Sequence, residues 1–306
     1  MSKHFGAETA ADGQGAGGRG LKLRMLFDAG AITMAEVAKS VLEDIIALRR
    51  ERLAEARERV PLEFLQQAVE ERSDWRDFAA ALSGKGLRVI AELKQASPSR
   101  GALRSDYRPA EIARGYEAAK AAALSVLTEE DFFLGSLEHL RAARAATALP
   151  VLRKDFILDE YQVYESAAAG ADAVLLIVAA LSDGELRSLL ELSERLRLAA
   201  LVEVHNEGEL DRALAAGARI VGVNNRNLKN LEVNLETSLR LRPRIPPGCL
   251  SVSESGIKSA ADLRRLAEAG FNAVLIGERL MTRPDPGGEL AALLAEAGER
   301  ITLGAI

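Results

Sequence analysis

A single cysteine, three histidines and a 4% share of aromatic residues leave several chemistries without material in this 306-residue chain. Cys249 has no second thiol for an internal disulfide, which fits a reducing cytoplasm. His4, His139 and His205 are too scattered to form a zinc site with that thiol, so no metal is expected. Charge of one sign is also missing. Forty Lys+Arg stand against 45 Asp+Glu, interspersed, with no basic stripe to neutralise a nucleic-acid backbone. No stretch approaches the roughly 18 uninterrupted apolar residues of a membrane span, and residues 1–20 lack the apolar core of a secretion signal. Neither nucleic acid nor membrane is therefore an expected partner.

Glycine is present but uneven. Six of the 25 glycines fall within residues 1–20, a stretch with little to bury against its ordering entropy. Residues 1–33 are expected to be a disordered extension. From Met34 to Arg59 apolar residues recur at helical spacing (Val37, Val41, Ile45, Leu48) until Val60-Pro61 interrupts them, which predicts a surface helix. A second helical pattern runs from Leu62 to Leu82, and Ser83-Gly84-Lys85-Gly86 marks a loop.

A rhythm follows. Short apolar, β-branched runs appear at Arg88–Lys94, Ala122–Thr128, Pro150–Asp155 and Asp172–Ala179, then at Ala199–His205, Arg219–Asn225, Leu250–Ser255 and Asn272–Gly277, with helical periodicity between them. Alternating strands and helices imply right-handed βαβ units and a parallel sheet. Eight of them imply an α/β fold closed as a (β/α)8 TIM barrel, with an N-terminal helical extension at residues 34–82 and one domain over residues 34–306. An open doubly wound sheet would carry a Gly-rich turn after its first strand, and ELKQASPSRG has none.

In such barrels the chemistry sits where strands end. The first run ends in Glu92-Leu93-Lys94, which puts Glu92 and Lys94 on one face. Others end in Lys154-Asp155, Glu203, Asn224-Asn225-Arg226, Glu254-Ser255-Gly256 and Gly277. Any one of these is ordinarily a solvated strand terminus. Two lysines, several carboxylates and an amide converging on one rim are harder to hold in a partly dry pocket without function. After the seventh and eighth runs, Ser253-Glu254-Ser255-Gly256-Ile257 and Leu275-Ile276-Gly277-Glu278 pair a glycine with a following helix, an arrangement that commonly binds phosphate.

IAELKQASPSRG (Ile90 to Gly101), LSVLTEEDFFLGS (Leu124 to Ser136), PVLRKDFILDEYQVYESAAAGADAVLLIVAAL (Pro150 to Leu181), LVEVHNEGELDRALAAGARIVGVNNRNL (Leu201 to Leu228), SVSESGI and VLIGERLM closely resemble the indole-3-glycerol phosphate synthases of tryptophan biosynthesis. The blocks stand in order over about residues 34–283.

That resemblance implies conversion of 1-(2-carboxyphenylamino)-1-deoxyribulose 5-phosphate to indole-3-glycerol phosphate, CO2 and water, with no cofactor. It implies Lys154 as general acid for ring closure, Glu203 as base, and Lys94 as ligand of the anthranilate carboxylate and candidate second acid. Glu92 would tune the lysines, and Asn224 would orient substrate hydroxyls and Glu203. Ser97 and Pro98 would open a mobile loop over the carboxylate, and Arg226 would help close the site. Phe133, Leu152, Phe156, Leu175, Leu228 and Leu231 would receive the aromatic ring. Glu254, Ser255, Gly256, Leu275, Gly277 and Glu278 would surround the phosphate. Glu278 departs from the serine of many relatives and would repel a dianion unless its side chain points away.

Two other readings share this pattern: a Schiff-base aldolase using a desolvated lysine, and a barrel that binds a phosphorylated metabolite without turning it over. The expected chain is a monomer, free or associated with other enzymes of tryptophan synthesis.

Overall fold

Strand formation follows the β-branched runs one for one. The computed structural model describes residues 34–98, 100–227 and 232–298, with side chains from residue 42 onward. The expected disorder of residues 1–33 and the ring contacts of Leu228 and Leu231 lie outside those residues. The strands are β1 (Arg88–Leu93), β2 (Ala123–Leu127), β3 (Val151–Lys154), β4 (Ala173–Ile177), β5 (Ala199–Val204), β6 (Ile220–Asn224), β7 (Leu250–Glu254) and β8 (Ala273–Ile276). Each pairs in parallel with the next, and β8 closes on β1 with Ala91 opposite Ile276.

Side-chain alternation sorts every strand into two sets. Val89, Leu124, Val174, Val202, Val221 and Val274 point outward into one buried cluster with the helices. Ile90, Leu152, Leu175, Leu201, Ile220 and Val252 point inward and fill the barrel with a second. A register slip of one residue would exchange the two sets. Continuing the inward set toward the strand ends brings up Glu92, Lys154, Glu203, Asn224 and Glu254, so the face that builds the core also builds the rim.

The helices are α1 (Met34–Arg59), α2 (Leu62–Glu70), α3 (Phe78–Leu82), α4 (Pro109–Ala118), α5 (Leu137–Ala146), α6 (Glu160–Ala168), α7 (Asp183–Arg195), α8 (Glu207–Ala215), α9 (Glu236–Leu241), α10 (Ala260–Glu268), α11 (Glu278–Met281) and α12 (Pro286–Ala297). The repeated Ala-Gly-Ala or Ala-Gly-Phe signature is a helix end. Gly170, Gly217 and Gly270 take φ of +97°, +93° and +84°, and Ala171, Ala218 and Phe271 each donate back to the carbonyl five residues earlier. This is the Schellman stop, which turns each chain toward its next strand.

The helical pattern from Leu62 to Leu82 does not form one helix. Residues 71–77 are not helical, because their side chains bond elsewhere. Arg72 donates to the carbonyls of Ala167 (2.9 Å) and Ala171 (2.6 Å) and to Asp172 Oδ1 (2.8 Å), and stacks 3.8 Å over the Trp75 ring. Arg76 N–H also donates to Asp172 Oδ1 (3.1 Å). The other oxygen of Asp172 accepts from Arg144 Nη1 (2.6 Å) and Val151 N–H (3.0 Å). Asp77 then caps α3, accepting from Ala80 N–H at 2.8 Å.

The N-terminal helices serve both ends of the barrel. Phe78 and Leu82 of α3 join the interior cluster beside Ala199 and Leu250, at the strands' N-terminal ends. At the opposite end, Ile45 of α1 packs against Phe132 and Phe156, and Arg49 Nη2 reaches Asp155 Oδ2 at 3.1 Å.

Candidate active site

At the C-terminal ends of the strands lies a cavity of about 680 Å3. Its floor is the charged layer that alternation predicts. Lys154, ending β3, places Nζ 2.9 Å from Glu203 Oε2 and 3.2 Å from Glu254 Oε2. Lys94, just beyond β1, donates to Glu92 Oε1 at 2.6 Å. Glu92, Glu203 and Glu254 are all buried.

Two glycines make room for these carboxylates. A Cβ on Gly277 would stand 2.1 Å from Glu92 Oε1, and one on Gly222 would stand 2.1 Å from Glu254 Oε1. Neither distance is sterically allowed, so these positions are small because their neighbours are not.

The cluster shifts the acidity of its members. Burial disfavours the Lys154 ammonium, but Glu203, Glu254 and Glu92 outweigh it and hold the lysine protonated well above its ordinary range. Burial likewise opposes ionisation of Glu203, yet Lys154 and His205 keep it well below the usual carboxylate range. Glu254 goes the other way, raised to about 7 by burial and by Glu203 and Glu92 despite Lys154. Apart from the 3.2 Å approach of Lys154 Nζ, its oxygens are buried without a hydrogen-bond partner among the described residues. One carboxylate is thus kept ionised and its neighbour is poised near neutrality, the separation that acid–base chemistry uses.

Asp155, next to Lys154 in sequence, borders the cavity but commits its carboxylate elsewhere. It accepts from Thr128 Oγ1 (2.6 Å), Arg153 Nη2 (3.0 Å) and Arg49 Nη2 (3.1 Å), bracing β3 from outside.

One side of the cavity is apolar. The Phe133 and Phe156 rings lie 6.4 Å apart, with Leu175 also at the wall. Leu152 is not there. It is fully buried within the barrel, two residues below Lys154 on the correct face but one layer too deep. Its place is taken by Leu42 and Ile45 from α1 and by Ile177. The apolar stripe of α1 contained that signal, but helical periodicity does not say which end of a barrel a stripe covers.

The opposite side is built from the loops after β7 and β8. Ser255 and Gly256 take successive left-handed conformations, with φ of 65° and 82°. Asn225 Nδ2 pins them by donating to the carbonyls of Glu254 and Ser255, both at 3.0 Å. Gly277 opens α11, whose first N–H groups have no preceding turn to accept them. Lys258, Arg279 and Arg283, which strand-end reasoning does not reach, add positive charge there.

Glu254 belongs to the lysine cluster and not to this loop, although it adjoins Ser255 in sequence. Glu278 turns aside: its carboxylate lies 3.1 Å from Arg100 Nε and 3.6 Å from Arg226 Nη2. Asn224 lines the cavity and accepts from Arg226 N–H at 3.0 Å, which ties it to the Arg226 loop. Ser97 and Pro98 line the cavity from the loop after β1, where Ala96–Ser97 pairs antiparallel with Gly101–Ala102. Leu275 completes the wall.

A positive pole and an apolar slot, with a protonated lysine and an ionised carboxylate between them, suit a substrate anionic at one end and aromatic at the other. Comparison with known proteins points the same way. The family model of indole-3-glycerol phosphate synthase matches residues 42–293. The indole-3-glycerol phosphate synthase of Polaromonas sp. strain JS666 is 51% identical over 257 residues, covering 83% of this chain and 97% of its own. That of Carboxydothermus hydrogenoformans is 47% identical over 262 residues, covering 83% and 99%. Among solved structures, 3-hexulose-6-phosphate synthase from Salmonella typhimurium superposes with a TM-score of 0.55 at 12% identity, covering 69% of this chain and all of that one, a likeness of fold alone.

Proposed function

The chain belongs to the indole-3-glycerol phosphate synthase family, and from that premise we infer how its residues divide the work. It is a decarboxylating lyase of tryptophan biosynthesis that closes the indole ring of a phosphorylated substrate. The observation that carries the assignment of roles is the position of Lys154, between carboxylates and at the meeting of the cavity's apolar and cationic sides.

The substrate's phosphate lies against the N–H groups of the Gly256 and Gly277 loops, where backbone donors and nearby cations favour a dianion. Its aromatic ring lies between Phe133, Phe156 and Ile45, and its carboxylate meets Lys94. The ring carbon bearing the carboxylate then attacks the ketone, and Lys154 delivers a proton to the oxygen as negative charge develops there. Loss of CO2 restores aromaticity. The new hydroxyl leaves as water with a proton from an acid, and Glu203 removes the remaining proton. Glu254, poised near neutrality, is placed to exchange a proton with a substrate hydroxyl.

A Schiff-base aldolase reading suits this site less well, because imine formation needs a neutral amine and the surrounding carboxylates keep Lys154 charged. A reducing cytoplasm is the proposed location, on the single cysteine Cys249. No described helix is long and apolar enough to cross a membrane.

The direct test follows indole fluorescence as purified protein meets 1-(2-carboxyphenylamino)-1-deoxyribulose 5-phosphate. Product is expected, and a folded sample that forms none overturns the reading.

Glu278 allows a second test. Its carboxylate occupies the two arginines that would otherwise face the incoming phosphate. Glu278→Gln should therefore lower KM by about two- to fivefold, the scale of a half-exposed ion pair, and strengthen inhibition by inorganic phosphate. A higher KM would mean that the carboxylate holds the arginines in place for substrate.

A further inference from the structure

Glu203 has two cationic neighbours, and only one of them has a place in the reaction as described. Its Oε2 faces Lys154 Nζ, and its Oε1 lies 3.3 Å from His205 Nε2. His205 follows Glu203 by two residues at the end of β5, so both side chains leave the same face. The imidazole is almost fully buried. Its Nδ1 is 2.9 Å from Glu209 Oε2, which also accepts the His205 backbone N–H at 2.8 Å. Nε2 is otherwise buried without a hydrogen-bond partner. His205 is absent from the cavity wall, so it acts on the reaction only through Glu203.

We propose that His205 is a positioning residue, a stationary cation that keeps Glu203 ionised while Lys154 is engaged with the substrate. The inference rests on Glu203 being the base.

The physical need for it is plain. When Lys154 gives its proton to the ketone oxygen it ceases to be a cation. Glu203, buried and suddenly without that counter-charge, would take up a proton and fail as a base in the dehydration that follows. His205 prevents this because its own charge is secured from behind. The charged groups facing the imidazole are Glu203 from its own strand and Glu209 from α8, while Lys154 and Glu254 bear on it through Glu203. Burial opposes protonation of His205, but its bonds to Glu203 and Glu209 raise it to about 9. The cation is therefore present at neutral pH and lost as pH rises through that value.

The test is the pH profile of kcat for His205→Gln, with Glu209→Gln and Glu203→Gln measured in parallel. In His205→Gln, burial without that cation should carry the acidic limb up by about three pH units or more, to about pH 7. Then kcat falls about tenfold at about pH 6 and recovers to within about threefold of the unaltered enzyme at about pH 8.5, with KM nearly unchanged. Glu209→Gln should move the limb the same way by less. A structural role would instead depress kcat evenly at all pH. An unmoved acidic limb in folded His205→Gln overturns the proposal, and should that variant not fold, an unmoved limb in Glu209→Gln does so. Near-normal kcat in Glu203→Gln would remove the base itself. An inactive Glu203→Gln beside an unmoved His205→Gln limb would remove only the role of His205.

Discussion

Lys154→Ala is expected to lower kcat by about three to four orders of magnitude while substrate affinity changes only a few fold. A positioned general acid contributes about 10^2- to 10^4-fold, and the same ammonium also stabilises the oxyanion, an interaction stronger in the transition state than in the ground state. Losses confined to the transition state appear in kcat and not in KM. Removing the lysine also leaves Glu203 and Glu254 without their shared cation. Glu254 is already raised to about 7 and would neutralise by binding a proton, so the pocket can shed the surplus charge and still admit the anion. Single-turnover kinetics with a separate binding measurement would check both halves. A kcat near that of the unaltered enzyme would take the acid's role away from Lys154.

Asp172→Ala should do the reverse, harming stability and sparing chemistry. Asp172 stands at the N-terminal end of β4, the opposite end of the barrel from the catalytic cluster, and accepts from Arg72, Arg76, Arg144 and Val151. The Arg72 and Arg144 side chains are 6% and 7% exposed. Without the carboxylate, the two buried guanidiniums keep only the exposed Asp74 as a charged partner, and breaking a buried pair on one side costs about 3–5 kcal/mol. That loss should appear as a lower denaturant midpoint with unchanged slope, because the variant exposes nearly the same surface on unfolding as the unaltered protein. Below the new midpoint, kcat should be normal. A destabilisation under about 1 kcal/mol would show that this network is not what holds residues 71–77 to the barrel.

Strand number, inward face and rim chemistry were legible in the chain because each is local. Alternation over a few residues tells which side a residue faces, and the polar residues that end each run announce the rim. Depth was not legible. Leu152 shares its face with Lys154, but the layer it occupies depends on its neighbours Ser125 and Ala173 in adjacent strands, a non-local fact. Glu254 touches Ser255 in sequence, which groups it with the phosphate loop, whereas closure of the barrel sets it against Lys154 from β3. Residues 71–77 carried no visible reason to leave the helix, since the acceptors that draw Arg72 away come from Ala167, Ala171 and Asp172. By composition alone His205 is one of three scattered histidines. Its even spacing from Glu203 and its i,i+4 relation to Glu209 were there to be read.

Helix α3 gives the barrel a sealed lower end. With Phe78 and Leu82 across the strand starts and Ile90, Leu152, Leu201 and Val252 packed above them, the cavity is a cul-de-sac among the described residues. On the proposed reading, substrate and products share the mouth at the strands' C-terminal ends. With the phosphate held at that mouth as proposed, carbon dioxide leaves while the rest of the molecule is still seated.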